Sequence, residues 1–370
     1  MSNDKKNLFL ASRDKRSKRL LDKLTSKYNV VATYNENITA KDKLLMFLMA
    51  GKYFYPDYRK YRHISKCCPY SIDYRAKKTE NYLNSLDTKI DFIFQFGATY
   101  PPIYTKPPLI PYFVYTDSCC DPDDKTYPWR WRAPRVARDY ANKQLEVFTN
   151  ATKIFTHSQW AKDTIIKVHG IDENKIIPVG SGPILDPIDE RVNFQEKENI
   201  VLFVGGDFHR KGVDILRNSV DKVANEIPDV KFVIIGKNTD KMKFKDHPNF
   251  ELLGPIFDKS LLAQYYRKAK VFVLPSRFEP LGHVLWEAMS FSTPVIVAQA
   301  GGMPETVIEG YNGFTFPVEN HEILADNIIK ILNDNELANK LSYNAKSHYD
   351  EKGHWEGVAQ RISEELDKSI

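Results

Sequence analysis

The sequence predicts an α/β protein of two domains, each a parallel sheet covered by helices. Three observations carry this. Short apolar runs rich in Ile, Val, Phe and Tyr alternate with amphipathic stretches along the chain, the pattern of repeated strand–helix–strand units. At 370 residues the chain is long for one domain, and 42% hydrophobic residues are enough for two cores. Between the halves, Gly180 to Glu198 holds glycines, prolines and charges without periodicity, the composition of a connection.

In the first half the expected strands are Asn7 to Ala11, Val30 to Tyr34, Ile90 to Phe96, Ile110 to Tyr115, Lys153 to Thr156 and Lys175 to Val179, with Lys18 to Lys27 a typical amphipathic helix between two of them. Ligand-binding loops should follow Ala11, Phe96, Tyr115 and Thr156, at the carboxyl ends of strands. In the second half the expected strands are Ile200 to Val204, Lys231 to Ile235, Phe250 to Leu253, Val271 to Leu274, Val295 to Ala298 and Phe314 to Phe316. Helices are expected at Val213 to Glu226, Leu261 to Ala269, His283 to Phe291 and Val358 to Leu366.

The most informative stretch is Val271 to Pro317, which reads strand, loop, helix, strand. Its loop carries Glu279 and Gly282 ahead of the helix bearing Glu287. Gly282 lets backbone pass close to a ligand, and the first amides of the helix, at His283 and Val284, can hold a phosphate. Carboxylates accept hydrogen bonds from vicinal hydroxyls, so Glu279 and Glu287 beside a phosphate site point to a polyhydroxylated ligand, one at each end. Taken singly, a Glu at such a position is far better read as a surface charge. The turn GGDFHRKG after Ile200 to Val204 adds Arg210 and Lys211, cations suited to a phosphate held at that loop, or else an exposed pair of a kind frequent on surfaces.

The remaining composition narrows the class. With 53 basic against 48 acidic residues the net charge is +5, and no zinc-finger or RNA-recognition spacing accompanies it, so nucleic acid is not an expected partner. No apolar run approaches a bilayer's thickness and the start lacks a signal peptide's core, so a cytoplasmic location is expected. The pairs Cys67-Cys68 and Cys119-Cys120 read as free thiols; a zinc site using them with His63 is the weaker reading. Lys41 to Lys78 is unusual: ten basic residues against Asp42, Asp57 and Asp73, interleaved with LLMFLM and several tyrosines. Two readings stay open there, a patch that sits on anionic lipid at the inner membrane face or holds an anionic, lipid-linked acceptor, and a solvated loop beside a core helix at Leu44 to Met49.

The run PSRFEPLGHVLWEAM followed by GGMPETVIEGYNGFTFPVEN resembles the donor-site signature of glycosyltransferase family 4, retaining enzymes of the GT-B fold. The resemblance implies two Rossmann-like domains facing each other across a cleft. The acceptor-binding domain would span 1–185, the donor-binding domain 186–350, and residues 351–370 would form a helix crossing back to the first. It implies that Glu287 holds the ribose of a nucleoside-diphosphate sugar, that Glu279 contacts the transferred sugar, and that amides around Leu281, Gly282, His283 and Val284 meet the diphosphate. Lys211 before Gly212 matches the family's lysine-glycine pair, while Gly206 stands where the family has an arginine, for which Arg210 substitutes or points to solvent. GPIFDK matches the loop whose backbone approaches the base, through Pro255 and Ile256.

On the acceptor side the family commonly has a histidine where this chain has Thr116 and Asp117. Asp117 is the candidate there, with a turn-forming Asp as the alternative. Asp121, Asp123 and Asp124 read as turn residues and His157 as structural. SRDKRSKR replaces the family's glycine-containing first turn, so acceptor binding does not carry over to it. The implied activity is metal-independent transfer of a hexose-type sugar to a glycan or lipid-linked acceptor, without a cofactor. A partner subunit whose site has lapsed and a GT-B phosphorylase or epimerase are the alternatives.

Overall fold

The computed structural model describes residues 5–12, 18–35, 39–49, 67–103, 110–124, 133–187, 190–237, 239 and 246–370. His63, most of the SRDKRSKR turn and residues 50–66 of the basic stretch lie outside them. The chain divides into two units, Met1–Val179 with Val358–Ile370, and Gly180–Gly357.

The first unit is built on a six-stranded sheet of order β2-β1-β3-β4-β5-β6, with β1 at Asn7–Ser12, β2 at Asn29–Asn35, β3 at Phe92–Phe96, β4 at Tyr112–Thr116, β5 at Lys153–Thr156 and β6 at Ile176–Pro178. The second unit repeats the plan in the order β12-β11-β10-β7-β8-β9. Its strands are β7 at Glu198–Val204, β8 at Lys231–Ile235, β9 at Phe250–Leu253, β10 at Ala269–Leu274, β11 at Val295–Ala298 and β12 at Gly313–Phe316. All ladders are parallel. A parallel sheet is covered on both faces, so its strands need no polar side; β3, β4 and β11 are buried at every residue, which is why they read as unbroken apolar runs.

The division falls at Val179–Gly180, a few residues before the expected 185/186 boundary, and for a physical reason. Leu185 and Val192 are buried in the core of the second unit, so the apparent connection is packed onto that unit. The last helix, Trp355–Asp367, begins in the second unit and continues in the first, where Arg361 donates twice to the Val179 carbonyl, at 2.9 and 2.7 Å, and Tyr28 donates to Asp367 at 3.0 Å.

A buried lysine staples the amino ends of β7 and β10. Lys197 Nζ lies 2.9–3.2 Å from the carbonyls of Arg267, Ala269 and Phe291 and from Thr293 Oγ1, four acceptors that share its N–H groups, and burial draws its pKa down to about 7.

One expectation is overturned. The helix Ala40–Met49 does not bury its leucines: Leu44 is 59% and Leu48 64% exposed, while Asp42 and Met46 are turned inward. An internal carboxylate anchors it, so it is not a core helix. The four cysteines are free thiols, three of them buried.

Candidate donor site

The site is assembled at the switch point of the second sheet. Strand order reverses between β7 and β10, which are paired neighbours although the chain passes through β8 and β9 between them. Loops leaving adjacent strands in opposite directions open a crevice at their carboxyl ends, the place where open α/β sheets take ligands. The loop after β7 carries Arg210 and Lys211; the loop after β10 carries Glu279.

Two glycines hold these loops in contact. Gly212 has φ +71°, and a Cβ there would come within 2.8 Å of the Pro275 carbonyl carbon and nearer still to its oxygen. Only a residue without Cβ lets the two backbones meet, and the Arg277 amide completes the junction by donating to the Arg210 carbonyl at 2.8 Å. Gly301, after β11, abuts the Glu279 backbone in the same way, and the Gly302 amide donates to the Glu279 carbonyl at 3.2 Å.

The result is a compact charge cluster. Lys211 Nζ is paired with Glu279 Oε2, and Arg210 Nη1 lies 3.3 Å from the same oxygen while donating to the Phe278 carbonyl at 2.8 Å. The Lys211 and Glu279 side chains are 11% and 14% exposed. Burial alone would raise the Glu279 pKa, but Lys211 and Arg210 outweigh it and hold the carboxyl below its ordinary range. Burial, partly offset by Glu279, draws Lys211 below the usual lysine value. Gly282 is the N-cap of the helix His283–Ser290, with a Cβ position 3.4 Å from Glu279 Cγ. The amides of His283 and Val284 therefore open the helix beside the cluster, ahead of Leu285, whose amide donates to the Gly282 carbonyl at 2.9 Å.

Glu287 has a different situation from the one its spacing suggests. It is 5% exposed; Oε1 accepts from the amides of Ile184 and Leu185, each at 3.1 Å, and Oε2 from the Tyr266 hydroxyl at 2.8 Å. Burial raises its pKa against the pull of these three donors. His283 joins the same segment, its Nδ1 lying 2.8 Å from the Gly182 carbonyl and 3.3 Å from Ser181 Oγ. Residues 181–185, read from the sequence as linker, are thus a wall of the site.

The other candidates are placed as follows. Gly206 is exposed, with open space where a Cβ would stand. Leu281 is buried in the core, Val284 is half-buried, Pro255 is exposed and Ile256 packs on the core edge at the end of β9. Asp117 belongs to the first unit, exposed just beyond β4. Asp121 Oδ1 accepts from the Asp123 amide at 2.9 Å, the bond of an Asx turn. Among the described residues no group of three or more His, Cys, Asp and Glu is arranged to hold a metal ion.

Sequence reasoning passed over Arg277, inside PSRFEP. Its guanidinium holds Asp214 through two bonds of 2.8 Å, Glu319 at 2.5 and 2.9 Å, and the His209 carbonyl at 2.5 Å. Asp214 above all, with Glu319, raises its pKa. Arg277 thereby ties the loop after β7, the first turn of helix Val213–Glu226 and the segment after β12 to the loop bearing Glu279.

Residues 186–348, within the second unit, match the family model described as glycosyl transferases group 1. Over the whole chain the fold is the two-domain GT-B fold of glycosyltransferases. A sucrose-phosphate synthase from Thermosynechococcus elongatus superposes with a TM-score of 0.69 over 98% of each chain at 16% identity. Anabaena HepE, solved with UDP, superposes at 0.62 over 98% of this chain and 100% of its own, at 17% identity. At these identities the likeness is one of fold. An uncharacterized glycosyltransferase of Methanocaldococcus jannaschii, MJ1178, is 34% identical over 236 residues, 59% of this chain and 61% of the relative. The capsular polysaccharide biosynthesis glycosyltransferase CapM of Staphylococcus aureus is 27% identical over 58% of this chain and 60% of its own length. The match thus spans about three-fifths of the length of these two curated relatives.

Proposed function

We propose that the chain is a retaining glycosyltransferase. It moves a hexose-type sugar from a nucleoside diphosphate to a glycan, lipid-linked or other acceptor hydroxyl, in the synthesis of a cell-surface polysaccharide or glycoconjugate. The observation that carries the reading is the convergence of Lys211 and Arg210 on Glu279 at the switch point, beside the opening amides of the helix His283–Ser290. The nucleotide class is supported by UDP in HepE, and the pathway class by CapM.

In this reading the bond between the anomeric carbon and the outer phosphate oxygen breaks with its electron pair on phosphate. Lys211, Arg210 and the amides of His283 and Val284 take up the developing charge, supplying what a divalent ion supplies elsewhere. The acceptor oxygen bonds to the same face of the sugar, and its proton passes to the leaving phosphate. As donor enters, the two cations turn to the diphosphate and the ionised Glu279 accepts from sugar hydroxyls. Glu287 has about four acceptor positions and three protein donors, which leaves one for a ribose hydroxyl. Asp117 is the acceptor-side candidate.

Glu287→Ala is expected to lose donor affinity and Lys211→Ala chiefly turnover. Single-turnover assays in which neither parameter moves more than about threefold, roughly 0.65 kcal/mol, would refute the assignment. The donors already satisfying Glu287 favour one rival, a subunit whose site has lapsed. Calorimetry with UDP, GDP and ADP separates them, because a lapsed site binds none. Release of free nucleoside diphosphate separates a transferase from a phosphorylase or epimerase.

A further inference from the structure

We propose that the helix Ala40–Met49 is a membrane-contact element that seats its apolar face in a bilayer surface bearing anionic lipid. The proposal is independent of the transferase reading. What distinguishes this helix is which side it turns inward. Asp42, 6% exposed, accepts from the Tyr74 hydroxyl at 2.6 Å, Lys78 Nζ at 2.9 Å and the Thr39 amide at 2.8 Å. Met46, one turn on and on the same side, is 5% exposed. Mounted through these two residues, the helix presents its opposite side outward. Leu44 and Leu48 are 59% and 64% exposed, and Leu45 and Phe47 flank them at 39% and 37%.

A surface helix of a globular domain does the reverse, burying its apolar stripe and exposing its charges. Large contiguous apolar exposure marks a contact site. Charge selects the occupant. At the helical angle of 100° per residue, Lys41 falls on the outward apolar side and Lys43 at its margin, both exposed, while the helix's acidic residue is turned in and neutralised by Lys78. Leucines and a phenylalanine to insert, lysines to meet phosphate headgroups and no outward carboxylate to repel them match an anionic bilayer surface. Ten residues rise only about 15 Å, half of the roughly 30 Å hydrocarbon core, so the helix lies in the interface plane. Consistently, no helix among the described residues is long and apolar enough to cross a membrane.

The test is co-sedimentation of the full chain with phosphatidylcholine vesicles made with and without phosphatidylglycerol. The expected result is binding to the anionic vesicles, falling at high salt. Leu44→Gln/Leu48→Gln should weaken it at least tenfold, and Lys41→Gln/Lys43→Gln several-fold with loss of the salt dependence. Lys340→Gln, at an exposed lysine of the second unit, should leave it unchanged. Matching far-UV circular dichroism confines the effect to the surface. Equal binding to both vesicle types, or binding indifferent to the leucine substitutions, would overturn the proposal. So would an absence of vesicle binding; if joined to a dimer in sedimentation equilibrium that Leu44→Gln/Leu48→Gln dissociates, it would assign the face to a second copy of the chain.

Discussion

Replacing Gly212 by alanine tests how the site is held together, because the same loop contains its own control. At φ +71° an alanine pays about 1–2 kcal/mol for the left-handed conformation. Its Cβ would stand 2.8 Å from the Pro275 carbonyl carbon, where carbon atoms ordinarily rest about 3.5–4.0 Å apart. The two loops must therefore separate by roughly 1 Å, an overpacking strain of about 1–3 kcal/mol. Together these give about 2–5 kcal/mol. For a domain of 150–250 residues each kcal/mol moves the midpoint by about 2–4 °C, so the second unit should melt on the order of 10 °C lower. Gly206 has open space at its Cβ position and no left-handed φ, so Gly206→Ala should stay within about 0.5 kcal/mol of the native chain. Thermal unfolding followed by calorimetry, with tryptophan fluorescence to which Trp286 and Trp355 contribute from the second unit, reports the comparison. Calorimetric titration with UDP adds the functional half: Gly212→Ala carries Lys211 away from Glu279 and should weaken binding. A Gly212→Ala variant melting within 1 °C of native, or a Gly206→Ala variant that falls as far, would refute the close approach as the device that forms the site.

Two further outcomes are expected. Arg277→Lys keeps the charge but cannot hold Asp214 and Glu319 as a planar fork, and should cost about 1–2 kcal/mol in urea unfolding; a variant as stable as native would show that the three-loop tie is idle. Lys197 is depressed to about 7 in the folded chain against an ordinary 10.5, so between those pH values the unfolded chain holds a proton that the folded chain has released. The sign follows: stability attributable to Lys197 rises with pH through that window, with a slope of up to about 1.4 kcal/mol per unit. In Lys197→Met the slope should be shallower by that amount, and loss of the Lys197 donor from the carbonyls of Arg267, Ala269 and Phe291 should cost about 1–3 kcal/mol at pH 7. Parallel stability–pH curves for the two proteins would contradict this.

Much of the architecture was legible along the chain because parallel strands buried on both faces must be apolar without interruption. Runs such as Phe92–Phe96 and Val295–Ala298 can be little else. The glycines and cations of GGDFHRKG and the acids of the Val271 to Pro317 stretch were legible too, since their spacing is local. What the chain order could not decide is which of these groups meet. Lys211 reaches Glu279 because β7 and β10 are neighbours in the sheet and Gly212 admits the Pro275 carbonyl. Glu287, one helix away from Glu279 and of the same chemistry, is instead enclosed by Ile184, Leu185 and Tyr266, partners remote in sequence. The orientation of Ala40–Met49 likewise depends on Asp42 finding Tyr74 and Lys78 on another helix. Secondary structure follows from short-range periodicity, whereas the charge state and exposure of a side chain depend on long-range neighbours that only packing brings within reach.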